Sequence, residues 1–352
     1  MIKTAVLILA AFSAPDQPPQ IRVRVDTQFA SSVLGQVCSD QPIDESAIRS
    51  SAAVNQMVDH FAQFRADFTL DAYVEARRLA ARCRTAEPDI FRFGEVIARR
   101  EELQAEIATI AAEQSEYAAG IEQMLAQYSP EGMRFSGSAT LVIGSPSCGG
   151  WSSNGDFYVD VPCLKGDRVG LQYLIAHESY HAIQSRFMGK TPAEPPLALI
   201  LDAIIREGSA MRVADFSQIS NPGAYAQLSQ RVLRTNRRRL VANVELFEVS
   251  VHYLLHSADP TAAERINNIG LSGQFDSPFY SVGELVIARI DQQLGRAALL
   301  CLLEGPAVEL FISYSGLPAD NQYPTLASET IAAIRTLRTA ESEQHTHRCT
   351  ST

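Results

Sequence analysis

Apolar positions along this chain follow a helical period for long stretches and a strand period only briefly. From about residue 44 to residue 127 they recur at three- and four-residue steps, as at Phe61, Phe64 and Phe68, and a charged, alanine-rich run carries the pattern from Glu95 to Gln127. The pattern predicts helices whose phenylalanine stripe faces a core, and Ser129-Pro130-Glu131-Gly132 ends them. After Gly137 the period shortens: Ala139 to Ile143 reads as a strand, residues 144–155 as a Gly-, Ser- and Asn-rich loop, and Asp156 to Val161 as a second strand closed by Pro162. Gly166 and Asp167 then supply a turn and an N-cap for a helix from about Arg168 to Arg186. Further helices are predicted from Leu197 to Phe216, from Tyr225 to Ser257 with a break, and from Pro278 to Leu294. In the last of these Ser277 is the cap, Pro278 suits the first turn and Gly295 ends the helix.

This order of elements predicts an α+β, mostly helical chain. An N-terminal helical segment (14–136) precedes a domain (137–340) in which a small sheet leads into a long helix, and residues 341–352 read as a polar tail. The start of the chain has the layout of a short secretory signal: Lys3, an apolar run from Ala5 to Phe12, and small residues before a Pro-rich stretch, with cleavage after Ser13. The expectation is an exported protein, periplasmic or extracellular, with no membrane span in the mature chain, since the apolar run is too short to cross a bilayer. Six cysteines, an even number, fit disulfides in such a compartment, and Cys148 with Cys163 is the favoured pair because the two flank a short hairpin. A formal net charge of -10 argues against nucleic acid as a partner, because phosphate binding needs basic surface.

One motif in the long helix carries chemistry. Residues 177–181 read His-Glu-Ser-Tyr-His, an HExxH pattern. On a helix, imidazoles four residues apart lie about 40° apart round the axis and about 6 Å along it, so His177 and His181 can reach one zinc ion. Glu178, beside them, can take a proton from a water activated by the metal. Catalytic zinc usually has a third protein ligand. The extended HExxHxxGxxH form is excluded, because Gln184 and Phe187 occupy the positions of its glycine and third histidine. A carboxylate from a later helix remains, with Glu207 preferred over Glu194, Asp202, Glu245 and Glu248. Small Gly208 and Ala210 are expected to let that helix approach the first.

His177-Glu178-Ser179-Tyr180-His181 followed by Glu207-Gly208-Ser209-Ala210 resembles the gluzincin group of zinc metallopeptidases, in particular bacterial peptidases with HExxH and a later E-G-x-A helix. The resemblance covers about residues 137–340 and implies a zincin-like fold, zinc held by His177, His181 and Glu207, Glu178 as general base, and a peptide or protein substrate. Related enzymes present a tyrosine or histidine from a downstream region to the oxyanion, and Tyr280, in Tyr280-Ser281-Val282-Gly283, matches that place. The alternative for Tyr280 is a phenol packed in a helix interface. The strand from Asp156 to Val161 is the expected edge for pairing with an extended substrate. A zincin-fold scaffold without activity and a zinc amidase acting on a non-protein substrate are the competing functions.

Other constellations lack this specificity. His252 and His256 stand four apart without an intervening glutamate and read as core or surface histidines, and His345 and His347 as part of a solvated tail. The arginines at 231, 234, 237, 238 and 239 read as a solvated basic face. Gly149-Gly150 and the nearby serines match neither a phosphate loop nor a nucleophile elbow.

Overall fold

A computed structural model describes residues 17–146, 149–153, 156–189, 195–320 and 323–350. The signal-like residues 1–13, Cys148 and Glu194 lie outside them. Among the described residues the architecture is α+β and mostly helical, around one four-stranded sheet.

Strand β1 (Gln20–Asp26) buries Ile21, Val23 and Val25 on one face and leaves Gln20, Arg22 and Arg24 exposed on the other. That alternation marks a half-buried strand, and each buried aliphatic side chain contributes roughly 1.5–3 kcal/mol. It pairs in parallel with β2 (Arg134–Val142), so the N-terminal segment adds a strand to the sheet as well as helices. The hairpin of β3 (Gly150–Ser153) and β4 (Asp156–Asp160) completes the order β1-β2-β4-β3, with β4 parallel to β2 and β3 antiparallel to β4.

Two strand expectations are corrected here. Residues 144–155 contain a strand, and the edge is β3 rather than the segment from Asp156, which lies inside the sheet. Four residues of composition Gly-Trp-Ser-Ser are too few to show a period of two, and their pairing is set by the hairpin. Trp151 stacks between His60 and Tyr158, with ring centroids 5.3 and 5.5 Å away.

Between β1 and β2 the helices run Gln28–Gln36, Glu45–Ser50, Ala52–Ala62, Leu70–Ala81, Phe93–Ala98, Arg100–Ala112 and Gln114–Ala126. The run from Glu95 is thus broken at Arg99 and Glu113. Phe61 and Phe68 are buried as the stripe predicts, but Phe64 is 73% exposed because the helix ends at Ala62, before the stripe can continue.

The helix carrying the motif, α1 (Arg168–Phe187), begins where expected. Asp167 caps it by accepting from Gly170 N at 2.8 Å. The other carboxylate oxygen of Asp167 accepts from Ala226 N at 2.7 Å, in the first turn of α3 (Ala224–Arg238). One buried side chain therefore fixes the angle between two helices. Between them runs α2 (Pro196–Val213), and after α3 come α4 (Leu240–His256) and α5 (Pro278–Leu294). Gly295, at φ +85°, ends α5 as predicted; Ser277 makes no capping bond and sits at φ +48°. Gly208 of α2 lies against Gly283 of α5, where an added Cβ would come within 2.1 Å of the Gly283 backbone. Gly208 thus faces α5, while α2 meets α1, as the sequence suggests, through its neighbour Ser209 and Gln184.

The C-terminal residues are not a solvated tail. They form α6 (Ala340–Thr350), bound by the disulfide Cys301–Cys349 and by Glu309, whose buried carboxylate accepts from Arg338, Ser342 and Thr346. His345 points inward to the Cys301 carbonyl, 2.8 Å away. A second disulfide joins Cys38 to Cys83. Cys163 is also disulfide-bonded, and its expected partner Cys148 is outside the described residues.

Candidate metal centre

His177 and His181 stand on successive turns of α1, with their Nε2 atoms 3.3 Å apart. Glu207 reaches them from α2, its Oε2 lying 3.4 Å from His177 Nε2 and 3.5 Å from His181 Nε2. The three donors form a nearly equilateral triangle. Tetrahedral ligands at zinc distances of about 2.0–2.1 Å are separated by about 3.3–3.4 Å, so the triangle has the size of one face of a zinc site. The chemistry of the set fits as well, because two imidazoles and a carboxylate are ordinary catalytic zinc ligands. Glu207 Oε2 is buried and has no hydrogen-bond partner. A buried anionic oxygen without a donor is costly, and a cation at the centre of the triangle removes that cost.

The electrostatics of the bare cluster point the same way. Burial opposes the charge on His181, but the Glu207 carboxylate outweighs it and lifts the imidazole pKa to about 9. Burial likewise opposes ionisation of Glu207, and the two imidazoles hold it well below the usual carboxylate range nonetheless. The carboxylate stays ionised and demands positive charge beside it.

Gln184, one turn beyond His181, is completely buried and fully used. Its Nε2 donates to Arg206 O and to Ser209 Oγ, both at 2.7 Å, and Ser209 Oγ in turn donates to Ile205 O. The amide orientation is thereby fixed, leaving Oε1 to accept from His181 Nδ1 at 2.9 Å. Nδ1 therefore keeps its proton, and Nε2, facing Glu207 and His177, is the nitrogen that gives up its proton when a metal binds. Gln184 also pins α1 to the turn of α2 that bears Glu207. Sequence reasoning missed this role; the i, i+3 spacing from His181 was the available signal, since residues so spaced share a helix face.

Glu178 is half-buried and lines two cavities that meet at it and His177. Gly150 of β3 packs against it: an added Cβ there would stand 3.1 Å from Glu178 Cγ. Ser152, two residues along β3, lines the same cavity as His181 and Glu207. Tyr280, at the start of α5, lines both cavities with His177 and Glu178, so the structure gathers it with the motif. Burial above all, joined by the negative charge of Glu207, pushes the Tyr280 phenol far above its ordinary pKa. It remains a proton donor. Tyr225, unforeseen from sequence, shares a cavity wall with Glu178, and burial above all raises its pKa too.

The competing acids are engaged elsewhere. Asp202 accepts from Arg206 Nε at 2.6 Å, Glu248 caps the Ala327 amide and Glu245 is exposed. Among the described residues one other group has metal-ligand spacing, Cys301, His345 and Cys349, and its two sulfurs are joined to each other. His252 and His256 lie on α4, half-buried and exposed, outside either group. In the arginine run, Arg237 pairs with Glu284 and Arg239 with Asp276.

Residues 46–317 match the model of a family described as "Putative zinc dependent peptidase (DUF5700)". The match spans most of the 352 residues. The chain belongs to this family. Zinc is accordingly its cofactor, and the His177, His181 and Glu207 triangle is where the described residues offer it a fitting donor set. No curated protein and no solved structure matches the chain.

Proposed function

We propose that this member of the family is a gluzincin-type peptidase in which His177, His181 and Glu207 bind zinc and Glu178 moves the protons of peptide hydrolysis. The observation that carries the proposal is the triangle of donors 3.3–3.5 Å apart, closed by an otherwise unpartnered carboxylate oxygen. When bound, zinc supplies a Lewis acid that makes water nucleophilic near neutral pH and polarises the scissile carbonyl.

The remaining work belongs to the chain. Glu178, on the turn between the two histidines, accepts the proton of the attacking water and returns it to the departing amide nitrogen. Tyr280, kept protonated by burial, donates its hydroxyl hydrogen to the carbonyl oxygen as negative charge develops there. Gln184 holds His181 in the Nδ1–H tautomer. The outer edge of β3 offers backbone groups to an extended substrate, with Gly150 and Ser152 on the cleft side. Residues 137–340 make up the catalytic unit, with the N-terminal segment attached through β1. Export into an oxidising compartment, by way of a leader at residues 1–13, agrees with the disulfides. No helix among the described residues is long and apolar enough to cross a membrane.

The test is elemental analysis and hydrolysis of a mixed peptide pool by wild type and Glu178→Gln. The expected result is one zinc per chain in both, with turnover reduced about 10²–10⁴-fold in the variant. A wild type that takes up no zinc, or a variant that cleaves normally, contradicts the assignment.

A further inference from the structure

The two cavities that meet at the metal centre differ in chemistry. One, of about 420 Å³, is lined beyond the shared residues by polar side chains including Ser152, Asp202 and Arg206. The other, of about 430 Å³, is walled by Leu174 of α1, Met211 of α2, Phe216, and Leu228, Val232 and Leu233 of α3. Gly150, His177, Glu178 and Tyr280 belong to both. A chain lying across the motif therefore has a polar hollow on one side and an apolar one on the other.

The amide and hydroxyl groups at the far end of the apolar cavity are already hydrogen-bonded. Asn236 Nδ2 donates to Asp276 O at 2.7 Å, and Asn236 Oδ1 accepts from Asn243 Nδ2 at 3.2 Å. Ser281 Oγ accepts from Asn243 Nδ2 at 2.9 Å and donates to Pro278 O at 2.6 Å. The Asp276 carboxylate has Arg239 at 3.4 Å. No lysine or arginine lines the cavity. An acidic side chain entering it would lose its hydration without finding a cation, a basic one would meet only Glu178 at the motif and Asp276 already beside Arg239, and an apolar one exchanges water for carbon contacts. The volume lies in the range of pockets that enclose ligand groups.

We infer that this cavity receives one large aliphatic or aromatic side chain of the substrate, so that the enzyme acts on polypeptides bearing such a residue next to the cleaved amide. The cleavage part rests on the hydrolase reading above; the selectivity of the cavity does not. A pocket of this kind discriminates by about 10–200-fold per methylene lost or gained.

The test has two arms. In the first, zinc-loaded wild type and Val232→Phe digest a peptide library, and the new termini are sequenced by mass spectrometry. The inference predicts that one position flanking the cleaved bond is enriched at least tenfold in Leu, Phe, Met or Ile over charged residues. It also predicts that Val232→Phe, which narrows the cavity, shifts that position toward Ala and Gly. Flanking positions without preference, a charged preference, or an unchanged profile in folded Val232→Phe overturns it. Should that variant fail to fold, Leu228→Glu, at a more exposed part of the wall, replaces it, with a loss of the apolar preference expected and an unchanged profile overturning the inference. The second arm needs no turnover: ligand-observed NMR with N-acetyl-leucinamide and N-acetylglutamate α-amide on wild type and the same variant. Leucine-selective contact that the variant loses supports the pocket even if no peptide is cleaved, in which case the hydrolase reading alone fails. Absence of leucine selectivity in this arm overturns the pocket.

Discussion

At the scale of single residues, a neutral amide holds the proposed zinc ligand His181. Gln184 has its two donors and its acceptor committed at 2.7–2.9 Å, so the His181 Nδ1–H bond is in place before any metal arrives. Replacing it with leucine keeps the volume and removes the acceptor. Gln184→Leu is expected to fold and to bind zinc about 10–100-fold more weakly in a chelator competition, with the His181 Nδ1–H signal lost from the NMR spectrum of the metal-free protein. Unchanged affinity would show that packing alone orients the ring. In the sequence Gln184 is visible as a departure from the longer HExxHxxGxxH motif and by its place on the helix face of His181. Its role depends on Arg206 and Ser209, and no spacing along the chain announces that their turn of α2 lies beside it. His177, Glu178 and His181 were legible for the opposite reason, because a single helix holds all three.

At the scale of elements, Asp167 is the joint of the cleft. It caps α1, which carries the motif, and holds the first turn of α3, which walls the apolar cavity. Asp167→Ala should cost more than the roughly 0.5–2 kcal/mol of an ordinary cap, since it frees a buried amide on each helix. Urea unfolding measures the loss, and hydrogen exchange at the Ala226 amide should quicken more than exchange within β2. The cap itself was readable from Gly166-Asp167 ahead of an apolar-periodic run, but its second bond, made 59 residues away, was not. The same limit hid the edge strand. Gly150-Trp151-Ser152-Ser153 carries no alternation, and only the hairpin with β4 makes it a strand. Gly208 was recognised as a site of close approach and assigned to the wrong neighbour, since small size says that something is near without saying what.

At the scale of the whole molecule, a continuous core runs from Ile21 of β1 to Cys349 of α6, so the sheet, the cleft and the C-terminal helix share one hydrophobic interior. The polar composition of residues 341–352 concealed α6, because Ser342 and Thr346 are buried by hydrogen bonds to Glu309 rather than by apolar contact. That interior also retains protons. Burial pushes Asp160 up to about 8 against the opposing Arg92, 3.7 Å away, and burial pushes Glu106 up to about 7. Both carboxyls would ionise near pH 4 in the unfolded chain, so between about pH 4 and 8 the native state binds more protons. The stability they contribute is complete below about pH 4 and is lost as pH rises through 7 and 8. Unfolding free energy should therefore fall across this window, and Asp160→Asn should remove a slope of about 1.4 kcal/mol per pH unit. Urea titrations at pH 5, 6.5 and 8 in both proteins check it. What the whole fold accomplishes is to bring one turn of α1 and one carboxylate of α2 to a common point. Anomalous diffraction at the zinc edge from crystals of the purified protein tests that most directly. The account predicts a single strong peak per chain, about 2.0–2.2 Å from His177 Nε2, His181 Nε2 and a Glu207 carboxylate oxygen. A peak held by other residues, or none at that triangle in zinc-soaked crystals, contradicts it.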